Sequence, residues 1–159
     1  MKTLIAAAAM ALLLCAPARA APDDAKERTA ILAQLDRFFV AMSAHDPKTW
    51  SEIFVEGSLA RSQNLGPDGK ATLRLGSIGD MVAHLAGGPD MQEGVWTPTV
   101  LIRGPMAVVW APYEFKLAGK SHHCGIDVFD FLKVDGVWKM SNAMWTSEPA
   151  ACAELKAAH

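Results

Sequence analysis

Tyrosine occurs once in this chain, at Tyr113, and cysteine three times. After residue 20 the cysteines are Cys124 and Cys152, an even pair for which a disulfide is the default in an oxidising compartment and two separate thiols the alternative. No C-x-x-C is present, so thioredoxin-like redox chemistry lacks its motif. The separated ligand pairs of a structural zinc site are missing as well. Basic charge is scarce. Losing Lys2 and Arg19 takes the 15 basic residues to 13, against 17 acidic ones, a net charge of −4, which excludes a nucleic-acid surface. Nothing after residue 20 is apolar for long enough to cross a membrane, and there is no internal repeat or low-complexity segment.

The one long apolar run, "LIAAAAMALLLCA", follows Lys2 and ends at "ARA" before Ala21. A positive start, a short apolar centre and a small-x-small end describe a signal peptide over residues 1–20, cut near Ala20/Ala21. Leu14 before Cys15 argues against a lipoprotein site. The mature chain, residues 21–159, is then one domain, periplasmic or secreted.

In "DDAKERTAILAQLDRFFVAMSAHD" the residues Ile31, Leu35, Phe38, Phe39 and Met42 recur at helical spacing on one face. Asp46 and Pro47 are the N-cap and first position of a second helix with Trp50, Ile53 and Phe54 on its apolar side, ended by Gly57. Two short strands around the Gly66–Gly69 turn form a hairpin. Ser77 or Asp80 starts a third helix, "IGDMVAHLA", closed by Gly87 and Gly88. The remainder is strand: "GVWTPTVLIRG", "PMAVVWAPYEFKLAG", "SHHCGIDVFDFLKV" and "VWKMSNAMWTSE", the last two joined by Asp135-Gly136, a strong hairpin signal. The tail "PAACAELKAAH" reads as a short helical turn.

The order of these elements, with "FFVAMSAHDPKTWSEIF" in front and "VVWAPYEFKLAGKSHHCGIDVFDFLKVDGVWKM" and "TSEPAAC" behind, resembles the nuclear transport factor 2-like superfamily. That superfamily includes ketosteroid isomerase-like and SnoaL-like proteins. More narrowly, the chain resembles exported bacterial nuclear transport factor 2 family or lumazine-binding-like proteins. The resemblance implies an α+β cone, in which a curved, mostly antiparallel sheet wraps around three N-terminal helices and encloses a pocket. It implies homodimers too. Isomerases, dehydratases, hydrolases and non-catalytic adaptors share such a cone, so the fold leaves the function open.

A two-residue Asp135-Gly136 turn sets a register in which side chains alternate between faces. His123, Gly125, Asp127, Phe129, Phe131, Trp138, Met140, Asn142 and Met144 fall on the concave face. His122, Cys124, Val128, Asp130, Lys139 and Trp145 fall on the outer one. A turn near Ala118-Gly119 places Phe115 opposite His123, Tyr113 opposite Gly125 and Ala111 opposite Asp127. The expected pocket is therefore lined by Phe115, Phe129, Phe131, Asn142 and Met144, with Trp50 and Met81 from the helices. Tyr113, His123 and Asp127 share its wall. A phenol, an imidazole and a carboxylate in an apolar pocket can transfer protons, with Asp127 as base and Tyr113 as hydrogen-bond donor. Ketosteroid isomerases use a tyrosine and acids in this way, but no motif here matches theirs position by position.

His122, His123 and Cys124 are a weak metal set, because neighbours on a regular strand point apart. Cys124 with His122 as a nucleophilic pair is a weaker account than a Cys124–Cys152 bridge, which a return of the tail after Pro149 allows. His45-Asp46 is a helix cap rather than a dyad. Trp110 and Trp145, expected outside, suit a homodimer of sheet on sheet. His84 could line the pocket, and Arg61 and Arg103 could stand at its rim. No cofactor, metal or nucleic-acid partner is expected. Three functions fit: a binder of a small apolar or aromatic molecule, an isomerase- or dehydratase-like enzyme using Asp127, Tyr113 and His123, or an adaptor dimer without ligand.

Overall fold

The computed structural model describes residues 22–158. The expected signal peptide and its cleavage point lie outside the described residues. The elements in chain order are α1 (Pro22–Ser43), α2 (Pro47–Ile53), β1 (Phe54–Leu65), β2 (Ala71–Ser77), α3 (Ile78–Leu85), β3 (Met91–Val95), β4 (Thr99–Arg103), β5 (Met106–Leu117), β6 (Lys120–Val134), β7 (Val137–Ser147) and α4 (Cys152–Ala157). Among the described residues the strands form one seven-stranded sheet of order β2-β1-β7-β6-β5-β3, with β4 on the same edge of β5 as β3. The β1–β7 pair is parallel and every other pair antiparallel. This is the α+β cone, an open curved sheet with helices packed into its hollow. No helix among the described residues is long and apolar enough to cross a membrane.

The helical spacing of α1 buries Ile31, Leu35, Phe38, Phe39 and Met42. The Asp46 side chain caps α2, accepting from the Thr49 N–H at 3.1 Å. The Thr49 hydroxyl donates to the same carboxylate at 2.6 Å. Trp50 stacks on Phe38 with ring centroids 4.9 Å apart, and its Nε1–H donates to the Phe38 carbonyl at 3.0 Å. That bond satisfies a buried donor and locks α2 against α1. Glu27 ties the same helix to the last hairpin through Lys133 Nζ (2.7 Å) and the Trp138 Nε1–H.

Helix α2 ends earlier than expected. Phe54 already begins β1, and Gly57, at φ +79°, sits inside that strand where its register against β7 shifts. The segment "GVWTPTVLIRG" is two strands rather than one. Trp96, Thr97 and Pro98 break it, with Thr97 at φ 36° and no N–H on Pro98 to continue a ladder. Ser77 caps α3, accepting from the Asp80 N–H at 3.0 Å.

Both long hairpins turn at the residues the sequence indicates. Asp135 and Gly136 have φ of 50° and 81°, and Ala118 and Gly119 have 47° and 73°, the two positive values a tight hairpin turn of this hand requires. Each hairpin then carries a bulge. Between β6 and β7 the pairs run from Val134↔Val137 to Phe131↔Met140, and Ser141 is the extra residue before Asp130↔Asn142. Between β5 and β6 the extra residue is His122, between Lys116↔Ser121 and Phe115↔His123.

The Ser141 bulge reverses the faces of the second half of β7. Asn142 and Met144, expected in the pocket, point outward. Met144 is 50% exposed. Asn142 donates to Asp130 Oδ2 and accepts from the Leu59 N–H, both at 3.3 Å. Trp145, expected outside, points inward with Ala143. Past the bulge, Cys124 bridges to Glu148.

Candidate functional site

A cavity of about 420 Å³ opens inside the cone. Helix α1 contributes Phe38 and Met42 to its wall, α2 Trp50, and α3 Ile78, Met81, His84 and Leu85. Met91 and Glu93 come from β3, Phe115 from β5, His123, Asp127 and Phe129 from β6, and Ala143 and Trp145 from β7. The expected lining residues Trp50, Met81, Phe115 and Phe129 are present. Phe131 is fully buried and belongs to the core rather than to this wall.

The polar groups gather on the sheet side. Asp127 is 3% exposed, and its Oδ2 has no hydrogen-bond partner. Its carboxyl group shares a hydrogen bond with Glu93. Burial pushes Glu93 up from 4.5 to about 8. Burial, and then the neighbouring Glu93 charge, holds Asp127 well above its ordinary 3.8. Two carboxyl groups this close, with little water, cannot both ionise at modest cost, so the pair retains a proton near neutral pH.

Glu93 is the site residue that sequence reasoning missed. It stands just ahead of the strand expected to begin at Gly94. The available signal was alternation: Met91, Glu93 and Val95 are the less exposed positions of β3, and an acid between two apolar residues on an inward face is out of place.

Tyr113 is fully buried but does not line the cavity. It pairs with Gly125, and its hydroxyl donates to the Thr146 carbonyl on β7 at 2.7 Å. The phenol thus spans β6 at the position where that strand has no side chain. A Cβ on Gly125 would lie 2.0 Å from the Thr146 oxygen. Burial, then the charges of Asp127, Glu93 and Glu148, lifts the phenol well above its ordinary range, so it stays protonated. Its one donor is already committed to a backbone acceptor.

His123 stacks on Phe115 (centroids 5.0 Å apart, 27° between planes) and meets Tyr113 edge-on. The bulge overturns the expectation that His122 and His123 point apart, since their Nδ1 atoms are 2.8 Å from each other. Burial, with a smaller contribution from His122, pushes His123 down from 6.5 to about 4, leaving it neutral. Among the described residues, no three His, Cys, Asp or Glu side chains converge as a metal site would need.

The Cys124–Cys152 disulfide is present, with Cα atoms 5.0 Å apart. It joins α4 to β6, and Lys156 adds a 2.7 Å ion pair to Glu114 on β5. Trp110 is on the outer face and 53% exposed. Arg103 is also exposed and away from the cavity, and Arg61 does not line it.

No family model matches the chain, and no curated protein does. Solved structures do match. An NTF2-like protein of unknown function from Shewanella baltica OS155 aligns with a TM-score of 0.57 at 18% identity, over 79% of this chain and 97% of that one. An NTF2-like protein with a cystatin-like fold from Novosphingobium aromaticivorans gives 0.61 at 16%, over 82% and 88%. A candidate dehydratase of the NTF2-like family from Streptomyces avermitilis gives 0.60 at 13%, over 78% and 97%. The chain therefore has the NTF2-like, that is nuclear transport factor 2-like, fold. At these identities the likeness speaks for fold alone.

Proposed function

We propose that this is an exported single-domain protein whose cone cavity binds one small apolar or aromatic molecule. The cavity itself supports the reading: about 420 Å³, aromatic and aliphatic on the helix side, with a few convergent polar groups on the sheet side. The Cys124–Cys152 bond accords with the oxidising compartment that the first twenty residues indicate. Calorimetric titration with naphthyl-sized probes tests the reading. Saturable binding that is lost when Ala143→Phe fills the cavity supports it. No saturable binding by any probe, or binding indifferent to Ala143→Phe, rejects it.

A second reading rests on the carboxyl pair. A protonated and an ionised carboxyl side by side can take a proton from one carbon or oxygen of a ligand and return it to another, as an isomerase or dehydratase requires. In this reading Asp127 and Glu93 carry the chemistry and His123 assists. Tyr113 acts through the Thr146 carbonyl, which positions β7 against β6, because its hydroxyl has no second proton to give. Turnover abolished by Asp127→Asn and Glu93→Gln would favour it, with a pH–rate profile set by the pair.

The outer face of the sheet supports a third element, a homodimer. Trp110, Val128, Met144 and Arg61 lie in one row across β5, β6, β7 and β1. Three of the four are apolar, on a face that water would otherwise cover.

A further inference from the structure

Among the described residues, the cavity is lined by acidic groups and by no lysine or arginine. Its basic side chains are His123, turned toward His122, and His84 at the exposed surface of α3, with its Nδ1 2.6 Å from the Asp80 carbonyl. Glu93 and Asp127 bond to each other, and Asp127 Oδ2 is buried with no partner at all. A buried carboxyl oxygen without a partner is costly to the fold, and a ligand donor that reaches it removes that cost. What the site lacks is therefore specific: N–H donors and one positive charge. A neutral carbonyl ligand would bring another acceptor to a place already rich in acceptors. The helix wall opposite is aromatic, with Phe38 and Trp50, Trp145 stands beside Asp127 on β7, and ring faces attract cations.

We propose that the ligand of this cavity is a protonated hydrophobic amine, its ammonium group held by the Glu93–Asp127 carboxyl pair and its apolar body lying against the aromatic wall. The inference rests on the cavity being a binding pocket, and adds the charge and class of what it binds. The ammonium donates to Asp127 Oδ2 and to Glu93. Near neutral pH both carboxyls favour the protonated form; on binding one proton leaves to the buffer and the other stays, so the ligand's positive charge faces one carboxylate. The raised affinity of Glu93 for its proton, at about 8, makes this release large near neutral pH. The other titratable groups around the pair are His123 and His122 on β6, Tyr113 on β5, Glu148 after β7, and Asp80 and His84 on α3. His123 and Tyr113 stay neutral throughout, so neither supplies the released proton.

The test compares naphthylmethylamine with naphthylmethanol, which have the same body and differ in charge, by calorimetry on the intact mature protein near neutral pH. Each titration is run in two buffers of different ionisation enthalpy, which counts protons released. The amine is expected to bind about tenfold or more tightly than the alcohol, as a buried charge-assisted contact allows. It should release up to one proton where the alcohol releases none. Glu93→Gln and, separately, Asp127→Asn should bring the amine-to-alcohol ratio toward one. The proton count on the unsubstituted protein keeps the test decisive if a variant fails to fold. An alcohol that binds as tightly as the amine, or an amine that releases no proton, overturns the amine inference while the pocket stands. If neither probe binds saturably, the pocket reading falls and the inference falls with it.

Discussion

Asp127 and Glu93 reach one hydrogen bond from strands that are not neighbours: Asp127 stands on β6, Glu93 on β3, and β5 runs between them. Only strong curvature brings side chains two strands apart together, so the pair depends on the cone. It also makes stability depend on pH. Glu93 binds its proton more tightly folded (about 8) than its ordinary 4.5, so its contribution is complete below about 4.5 and is lost as pH rises through about 8. His123 has the opposite sign. Held down to about 4 from 6.5, it contributes fully above 6.5 and loses that contribution as pH falls toward 4. The two slopes oppose each other between about 4.5 and 6.5, and the carboxyl slope stands alone above that. Denaturation midpoints should fall from about pH 6.5 to about pH 8. Glu93→Gln, which carries no charge, should flatten that fall. A midpoint that rises over this interval would contradict the assignment.

Asp127→Asn is the companion case. The ionised form is disfavoured in the fold, and asparagine has nearly the same shape without the charge. The variant should be as stable as the parent at acid pH and more stable above neutral, the trade expected where a binding group is kept at a cost to the fold. Urea midpoints at two pH values measure it.

The contact of Tyr113 with Thr146 across Gly125 separates two kinds of damage. Tyr113→Phe removes one hydrogen bond and leaves the Thr146 carbonyl to find another donor, a loss of about 1 kcal/mol. Gly125→Ala places a methyl group 2.0 Å from a backbone oxygen that no side-chain rotation can move aside, so β6 and β7 must part. The loss should exceed about 3 kcal/mol and extend to the cavity, since Asp127 and Trp145 pair across the same hairpin. Chemical denaturation of the two variants, side by side, gives the ratio.

His123, Tyr113 and Asp127 could be placed together from the sequence because two departures cancel. The Ala118-Gly119 turn pairs Leu117 with Lys120, one residue tighter than expected, and the His122 bulge restores the count by Phe115↔His123. On β7 nothing cancels. The expected register is right from Val134↔Val137 to Phe131↔Met140 and fails at Ser141, because a bulge carries no residue signature that "KMSNAM" displays. The helices were legible for a simpler reason: Asp46-Pro47 and Ser77 hold cap positions whose hydrogen bonds are local. Glu93 was not legible because its role is set by a strand two places away.

The disulfide closes a loop over a sequence separation of 28. Constraining the unfolded chain to that loop contributes about 3 kcal/mol by chain entropy. Intact-mass analysis of the mature protein after alkylation should show no free thiol until a reductant is added. Cys152→Ala should lower the unfolding free energy by about that amount and loosen α4 first, with Lys156–Glu114 as its remaining link to the sheet. Two alkylated cysteines without reductant would remove the bridge and one support for export.

The outer face yields the last prediction. Trp110 opposes Val128 on β6, and Val128 opposes Met144 on β7, so a wide apolar strip crosses the middle of the sheet rather than its edge. Leu101, beside it on β4, is more exposed still at 67%. A stable dimer needs roughly 800 Å² from each partner, and a row of side chains spanning five strands is of that scale. Sedimentation velocity should find a dimer. Trp110→Asp, which buries a charge at the centre of the strip, should yield monomers with the far-ultraviolet spectrum unchanged. Because Trp145 faces the cavity rather than this strip, Trp145→Ala should leave the dimer intact while altering probe binding. A monomeric parent protein, or a Trp110→Asp variant that stays dimeric, would mean that this face is not the interface.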